Sequence, residues 1–477
     1  MDAKVDAIVV GSGPNGLAAA ITLARAGRSV RVLEAATTPG GGLRTAELTL
    51  PGHHHDVCAA VVPLAAASPF MAGLDLDRHG VELLHPEVPL AHPLDGGRAG
   101  VLWRSIDDTA AALGVDGARW RSVFGTPART WERWIGSVLR PLPHRPEHPV
   151  DLLRFGRRAG PPAAVTIAGF HTDEARALVA GLAGHALLPL WHPLTASFAI
   201  VLGAAAHAVG WPIVAGGSQR LVDAMVAELM SLGGTVECGR AVTSMSGVAD
   251  GGVVLFDLPP RRVVEIAGAD LGRLDRWRYR RFRPGPGVFK LDLALSEPVP
   301  WAAEACRRAG TVHVAGTAAE LAAAEHDMWR GRHPAAPFVL VGQQSVVDPL
   351  RAPAGRHTLW AYCHVPNGST VSMVEPIERQ IERFAPGFRD TIVARHVAGP
   401  RWYESYNGND VGGDISGGSH GGLQLLARPG FRLHPYRTSD PRLFLCSAST
   451  PPGGGVHGMC GYNAALDVLD VLDGTGP

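Results

Sequence analysis

Apolar positions first gather in the run Val5-Asp6-Ala7-Ile8-Val9-Val10, the pattern of a strand buried on both faces. A glycine-rich turn follows, then an Ala- and Leu-rich stretch, Leu17 to Ala26, that predicts a helix ended by Gly27. A second apolar run, Ser29 to Glu34, predicts a strand ending on an acid. The middle of the chain repeats these signals: a turn at Gly216-Gly217-Ser218, a helix over Gln219–Ser231, and strands over Thr235–Val242 and Gly252–Leu258. Gly287 to Leu295 alternates with period two and predicts a further strand. Near the end, the strand Arg442–Leu445 leads through a Gly-rich turn to an amphipathic helix, Tyr462–Leu472. Strand–helix–strand order at the start, and strand–turn–helix order at the end, predict an α/β fold.

The most apolar stretch, Phe198–Ala206, falls far short of the ~20 residues of a membrane span. The N-terminal segment runs directly into the first strand, without the pattern of a secretory signal. The expected location is the cytoplasm, and attachment to a membrane periphery is compatible with this reading. At roughly 100–200 residues per domain, 477 residues predict two or three domains. Lys plus Arg equals Asp plus Glu at 44 each, so no electrostatic argument favours nucleic acid. Only Lys4 and Lys290 are lysines, a bias matching the load of Gly, Ala and Pro. Most arginines therefore need no functional reading. The six cysteines, at 58, 238, 306, 363, 446 and 460, form no Cys-x-x-Cys pair and no zinc spacing. Dithiol redox chemistry is excluded on that ground.

The first turn reads Gly11-Ser12-Gly13-Pro14-Asn15-Gly16. Gly11 permits the tight turn, Gly13 lets the backbone approach a pyrophosphate, and Gly16 lets the helix pack on the sheet. The free N–H groups and dipole of the helix start favour phosphate. Glu34 lies 34 − 16 = 18 residues beyond Gly16 and is placed to accept hydrogen bonds from the ribose of an adenosine. Its charge argues against a 2′-phosphate. The turn Gly40-Gly41-Gly42-Leu43-Arg44 follows closely, which suits the longer FAD better than NAD. Gly41 and Gly42 would let the cofactor pass, and Arg44 would pair with the pyrophosphate or cover the isoalloxazine edge. No second G-x-G-x-x-G unit marks a separate NAD(P)H site.

The C-terminal turn carries Ser449, Gly455, Val456 and His457. Its glycines would let backbone lie against a flat ring, and the helix start after it would face the flavin N1/C2=O edge, where negative charge collects on reduction. His457 either contributes to this turn or only caps the helix.

With both ends in view, the chain resembles the phytoene desaturase-like flavoproteins, and within them the branch called pyridine nucleotide-disulfide oxidoreductase domain-containing protein 2. The matching stretches are VVGSGPNGLAAAITLARAG, GGGLRTAEL, HDVCAAVVPL, VAGGSQRLVDAM, GGDISGG, ARPGFRLHPYRT and LFLCSASTPPGGGVHGMCGYNAA. The resemblance implies non-covalent FAD, a glutathione-reductase-like Rossmann FAD domain and a discontinuous α+β substrate domain. It also implies dehydrogenation or desaturation of a lipophilic small molecule, and backbone near Ala241-Val242 touching the adenine. The expected division is 1–95, 205–260 and 430–477 for the FAD domain, with 96–204 and 261–429 for the substrate domain.

The strand bearing Lys290 resembles that of flavin amine oxidases with a lysine bridged by water to flavin N5. Lys290 is the candidate catalytic residue, opposed by the reading of a lysine at a solvent-facing strand edge. In His53-His54-His55-Asp56, adjacent histidines point to opposite faces of a strand, which disfavours a metal site; by resemblance, His54 or Asp56 would lie near the flavin. His420 is a candidate cavity residue, and Trp131 and Trp134 are expected in the core. The expected reaction is hydride transfer from substrate carbon to flavin N5, with oxygen or a quinone as final acceptor. The rivals are a flavin amine oxidase, weakened by the lack of an obvious aromatic cage, and a flavin-binding regulatory or scaffold protein with little turnover.

Overall fold

The computed structural model describes residues 4–474. Its first sheet has five parallel strands in the order Leu443–Leu445, Gly251–Phe256, Val5–Val10, Val30–Leu33, Thr235–Glu237. Val5–Val10 is central, and its last four residues are buried, as the unbroken apolar run requires. The helix Pro14–Arg25 begins three residues earlier than the apolar pattern alone marks, because Pro14 is compatible with a first turn. Gly27, at φ +77°, ends it, with the Arg28 N–H returning to Leu23 O. The strand at Thr235 stops at Glu237; Val242 lies in the loop that follows, held beside the second strand by Arg240 N–H to Glu34 O at 2.8 Å. This corrects the expected strand over 235–242.

The second sheet has seven strands in the order Ile392–Ala398, Gly287–Leu295, His357–Val365, Val339–Gly342, Ala309–Val314, Val88–Leu94, Arg98–Leu102. All pairs are antiparallel except Ala309–Val314 with Val88–Leu94. One face is aliphatic: Leu291, Leu293, Leu359, Ala361, Val341 and Val312 share a core with the helix Val374–Phe384. The opposite face carries Lys290, Trp360, Tyr362, Leu340, Thr311 and His313. Helices between residues 106 and 208, chiefly Asp173–Gly184 and Thr195–Ala208, pack on that side of the molecule. Among the described residues no helix is long and apolar enough to cross a membrane.

Two segments sit differently from the expected division. Val88–Leu94 hydrogen-bonds within the seven-stranded sheet, so the first boundary precedes residue 88. The helices Pro260–Ala267 and Arg273–Arg281 pack Val263, Ala267 and Tyr279 against Ile8 and Val10, so residues 261–281 belong with the parallel sheet. Trp131 and Trp134 are core, edge to face at 4.8 Å.

The first and last helices, Pro14–Arg25 and Met459–Leu472, cross in direct contact. A Cβ at Gly461 would overlap the Asn15 carbonyl. Gly461→Leu should therefore lower stability by about 3 kcal/mol or prevent folding, checked by thermal unfolding, whereas Leu469→Ala, on the same helix beyond the crossing, should cost about 1 kcal/mol.

Candidate functional site

A cavity of about 350 Å³ lies between the two sheets, within the size range of small-molecule sites. One wall is backbone-rich: Gly13, Asn15, Gly41 and Gly42 from the first and second turns, and Ser449, Gly455 and Val456 from the last. The opposite wall comes from the seven-stranded sheet and its helices: Trp360, Tyr362, Leu340, Thr311, Trp211 and His185. The segment Cys58–Leu64 closes one side and Asn407–Asp410 another.

The backbone-rich wall fits a dinucleotide. Gly41, at φ +55°, approaches Gly13 so closely that a Cβ would lie 3.1 Å from the Gly13 Cα. Helix Pro14–Arg25 has no side-chain cap from Gly13, and Asn15 Oδ1 is buried without a partner. Pro14 lines the same wall. Gly11 and Gly16 lie behind it: a Cβ on Gly16 would strike the Gly11 carbonyl, so the pair sets turn and packing without facing the cavity. Glu34 is buried, accepting from Ser12 N–H at 2.9 Å and from Ala36 N–H at 2.9 Å.

Several predicted residues stand elsewhere than expected. Arg44 does not border the cavity; its guanidinium donates to Thr38 O at 2.7 Å and lies 3.4 Å from Glu34 Oε1, at the acid's end of the site. Val242 is half-buried beneath the parallel sheet. His457 caps the last helix, its Nδ1 accepting from Met459 N–H at 3.0 Å, and burial holds it neutral with its pKa lowered to about 4. His420 donates its Nδ1–H to Ala186 O at 2.9 Å and is not in the cavity wall.

Lys290 is neither at a solvent-facing edge nor in the cavity wall. It is 1% exposed, and Nζ donates to Asp56 O at 2.9 Å, Val57 O at 3.1 Å and Asp292 Oδ1 at 2.6 Å. An ammonium has three N–H donors, and all three are used within the protein. Asp56 accepts from Ser218 N–H at 2.8 Å and from Arg351 at 2.8 Å, and Arg351 also binds Asp348. His55 turns inward to Asp292 at 3.7 Å with its pKa lowered to about 4, chiefly by burial, while His54 turns outward. This buried network anchors the chain where it enters Cys58–Leu64. The corrected role of Lys290 follows from it: the side chain positions a wall.

Asp257, which sequence reasoning passed over, lies at the end of strand Gly251–Phe256 and lines the cavity. Its Oδ2 accepts from Gly16 N–H at 3.0 Å, so it occupies the first turn of helix Pro14–Arg25. Burial pushes its pKa up to about 7, against the Gly16 hydrogen bond, and nearby Glu34 adds to the rise. Trp360 and Tyr362, also missed, are 4.8 Å apart at 79°. Their signal was the alternation of Trp360, Tyr362 and His364 with Leu359, Ala361 and Cys363. Together with Trp211 they supply the aromatic wall that the sequence did not reveal. Cys58 borders the cavity as a thiol pushed up to about 12 by burial, which leaves it no nucleophile. Among the described residues, no group of three or more His, Cys, Asp or Glu side chains is arranged to hold a metal.

The family model for an NAD(P)-binding Rossmann-like domain matches residues 9–72. Over 97% of its length the chain is 25% identical to mouse pyridine nucleotide-disulfide oxidoreductase domain-containing protein 2, covering 93% of that protein. Over 142 residues, 28% of each chain, it is 34% identical to hydroxyneurosporene desaturase of Cereibacter sphaeroides. A solved putrescine oxidase with bound putrescine superposes with a TM-score of 0.62 at 18% identity, over 98% of this chain and 99% of that one. The fold is thus an N-terminal Rossmann-like dinucleotide-binding domain joined to a larger mixed α+β domain, the glutathione-reductase-like class.

Two outcomes test this electrostatic arrangement. A proton held by Asp257 stabilises the folded chain fully below about pH 4, and that share is lost as the pH climbs through about 7. Asp257→Asn should therefore raise stability at pH 8 by roughly 2 kcal/mol and leave it unchanged at pH 4, read from denaturant unfolding at both pH values. Lys290→Met leaves Asp292 buried without its cation, and should cost about 3–5 kcal/mol; Lys290→Met with Asp292→Leu should recover part of that loss.

Proposed function

We propose that the protein is an FAD-dependent oxidoreductase that oxidises a small, largely apolar amine. The observation that carries this reading is one cavity with a glycine-rich dinucleotide cradle on one side and Trp211, Trp360 and Tyr362 on the other. Gly13, Asn15, Gly41, Gly42, Ser449 and Gly455 would hold the cofactor. FAD, when bound, would supply a two-electron acceptor for a hydride from the carbon next to the amine nitrogen, which would leave a C=N bond as the nitrogen releases a proton. The chain itself orients the donor. Trp360 and Tyr362 form an edge-to-face corner against which an alkyl or aryl group packs.

Hydride loss requires the neutral amine, because an ammonium nitrogen has no lone pair with which to form the C=N bond. Asp410 in the cavity wall is held well above the carboxylate range by burial, while Asp257 in the same wall loses its proton as the pH passes about 7. Lys290, through Asp56 and Val57, fixes the entry into the Cys58–Leu64 wall. Oxygen or a quinone is proposed as the final acceptor.

The second reading is desaturation of a carbon–carbon bond. Its support is the 34% identity to a desaturase, over 28% of the chain. Anaerobic mixing of the flavin-loaded protein with alkylamines, aralkylamines, fatty aldehydes and polyenes separates the two. Loss of flavin absorbance should occur with an amine, at a rate rising about tenfold per pH unit below the amine's own pKa. Bleaching by a polyene alone would favour desaturation, and a protein that takes up no flavin would overturn both.

A further inference from the structure

Beside the sheet wall of the cavity lies a cluster of histidines, of which His185 borders the cavity, that oxidation of an amine does not use. His185, at the C-cap of helix Asp173–Gly184, borders the cavity, and its Nε2 lies 3.1 Å from His313 Nε2. His313 is fully buried, and its Nδ1 has no partner. His92 and His364 lie on the same sheet face, each with one bonded and one unpartnered ring nitrogen. Burial lowers the pKa of His185 to about 3 and that of His92 to about 4, and takes His313 well below its ordinary value.

Hydrogen-bond economy assigns the protons. His92 Nε2 meets Gly316 O at 2.8 Å; a carbonyl only accepts, so the proton is on Nε2 and the unpartnered Nδ1 is a lone pair. His364 Nδ1 donates to the Glu325 carboxylate at 2.9 Å, and its Nε2 has no partner. A buried N–H without an acceptor is rarer than a buried lone pair without a donor. The same rule for His313 leaves the lone pair on Nδ1 and puts the proton on Nε2, donated to His185 Nε2. His185 then carries its own proton on Nδ1, the ring nitrogen not used by His313.

Thr311 adds a second donor on the same face, two residues from His313. Its Oγ accepts from Trp211 Nε1 at 2.9 Å; indole nitrogen only donates, so the threonine hydroxyl proton is free. We infer that His185 and Thr311 form a subsite for a neutral hydrogen-bond acceptor on the substrate, a carbonyl, ether or hydroxyl oxygen, on the sheet side of the cavity. The inference rests on the proposed function for its identification of the cavity as the substrate site. The subsite selects an uncharged group because neither donor carries charge.

The test needs no turnover, so it can fail while amine oxidation stands, or hold if no amine reacts. Isothermal titration of the protein as purified compares 2-octanone, its isostere 2-methyl-1-octene, and octanoate. One net hydrogen bond corresponds to a ratio near tenfold in favour of the ketone over the alkene. His185→Phe and Thr311→Val should each reduce that ratio at least threefold, and His185→Gln, which keeps a donor, should retain more of it. Equal affinities for ketone and alkene, tighter binding of octanoate than of the ketone, no binding of any probe, or a ratio unmoved by Thr311→Val would each overturn the proposal.

Discussion

The crossing of the first and last helices is the contact on which the site depends. Gly461 lets Met459–Leu472 lie against the carbonyl of Asn15, and Gly458, at φ +68°, turns the chain into that helix. Ser68 Oγ ties the His457 carbonyl at 2.6 Å, so the turn before the helix is held from a third part of the chain. Residues more than 430 positions apart in sequence thereby face one cavity. Any side chain at the crossing would separate the Gly13–Asn15 wall from the Ser449–Val456 wall, and the cradle would cease to exist. The loop-closure cost of such a distant contact is offset by its burial between two apolar helix faces.

The other wall is a consequence of strand periodicity. Successive side chains of a strand point to opposite faces, so one sheet can be oily below and chemical above. Leu291, Ala361 and Val341 bury the lower face in an aliphatic core. Lys290, Tyr362, Leu340 and His313 then have no choice but to share the upper face. A polar group there must be paired or face the cavity, which explains why Lys290 takes three partners and why His313 reaches for His185. The same sheet provides rigidity, because neighbouring strands fix the spacing of Trp360 and Tyr362.

What the sequence revealed and what it hid follow from contact distance. The strand Val5–Val10, the helix Gln219–Ser231 and the strand Gly287–Leu295 have the predicted bounds, because their signals are local apolar periods and caps. Gly13 of the first turn and Gly454 and Gly455 of the last line the cavity, while Gly11 and Gly16 lie behind it. No local signal joins Val88–Leu94 to the second sheet, because strand pairing is not local: its partner Ala309–Val314 lies more than 200 residues away. Lys290 stood out as a rare residue type, but rarity does not report partners. The carbonyls of Asp56 and Val57 that hold it come from a segment no pattern joins to it. Trp211, Trp360 and Tyr362 escape a reading of the sequence, because nothing in their spacing brings the first beside the other two.

Buried charge is the remaining thread. Asp56, Lys290, Asp292, Arg351 and Asp348 are all at most 1% exposed, and ion pairs at such depth contribute little net stability because desolvation opposes attraction. Their worth lies in geometry. Each group is satisfied only if the segment at 56–57 sits at one height over the strand Gly287–Leu295, and a displacement would strand a charge in a medium that cannot solvate it. An aliphatic core tolerates sliding; this network does not. The segment it fixes continues into Cys58–Leu64, which bridges the glycine cradle and the aromatic wall. The distance between cofactor side and substrate side is therefore set by an interaction that faces neither, and a substitution there would act on chemistry through spacing alone.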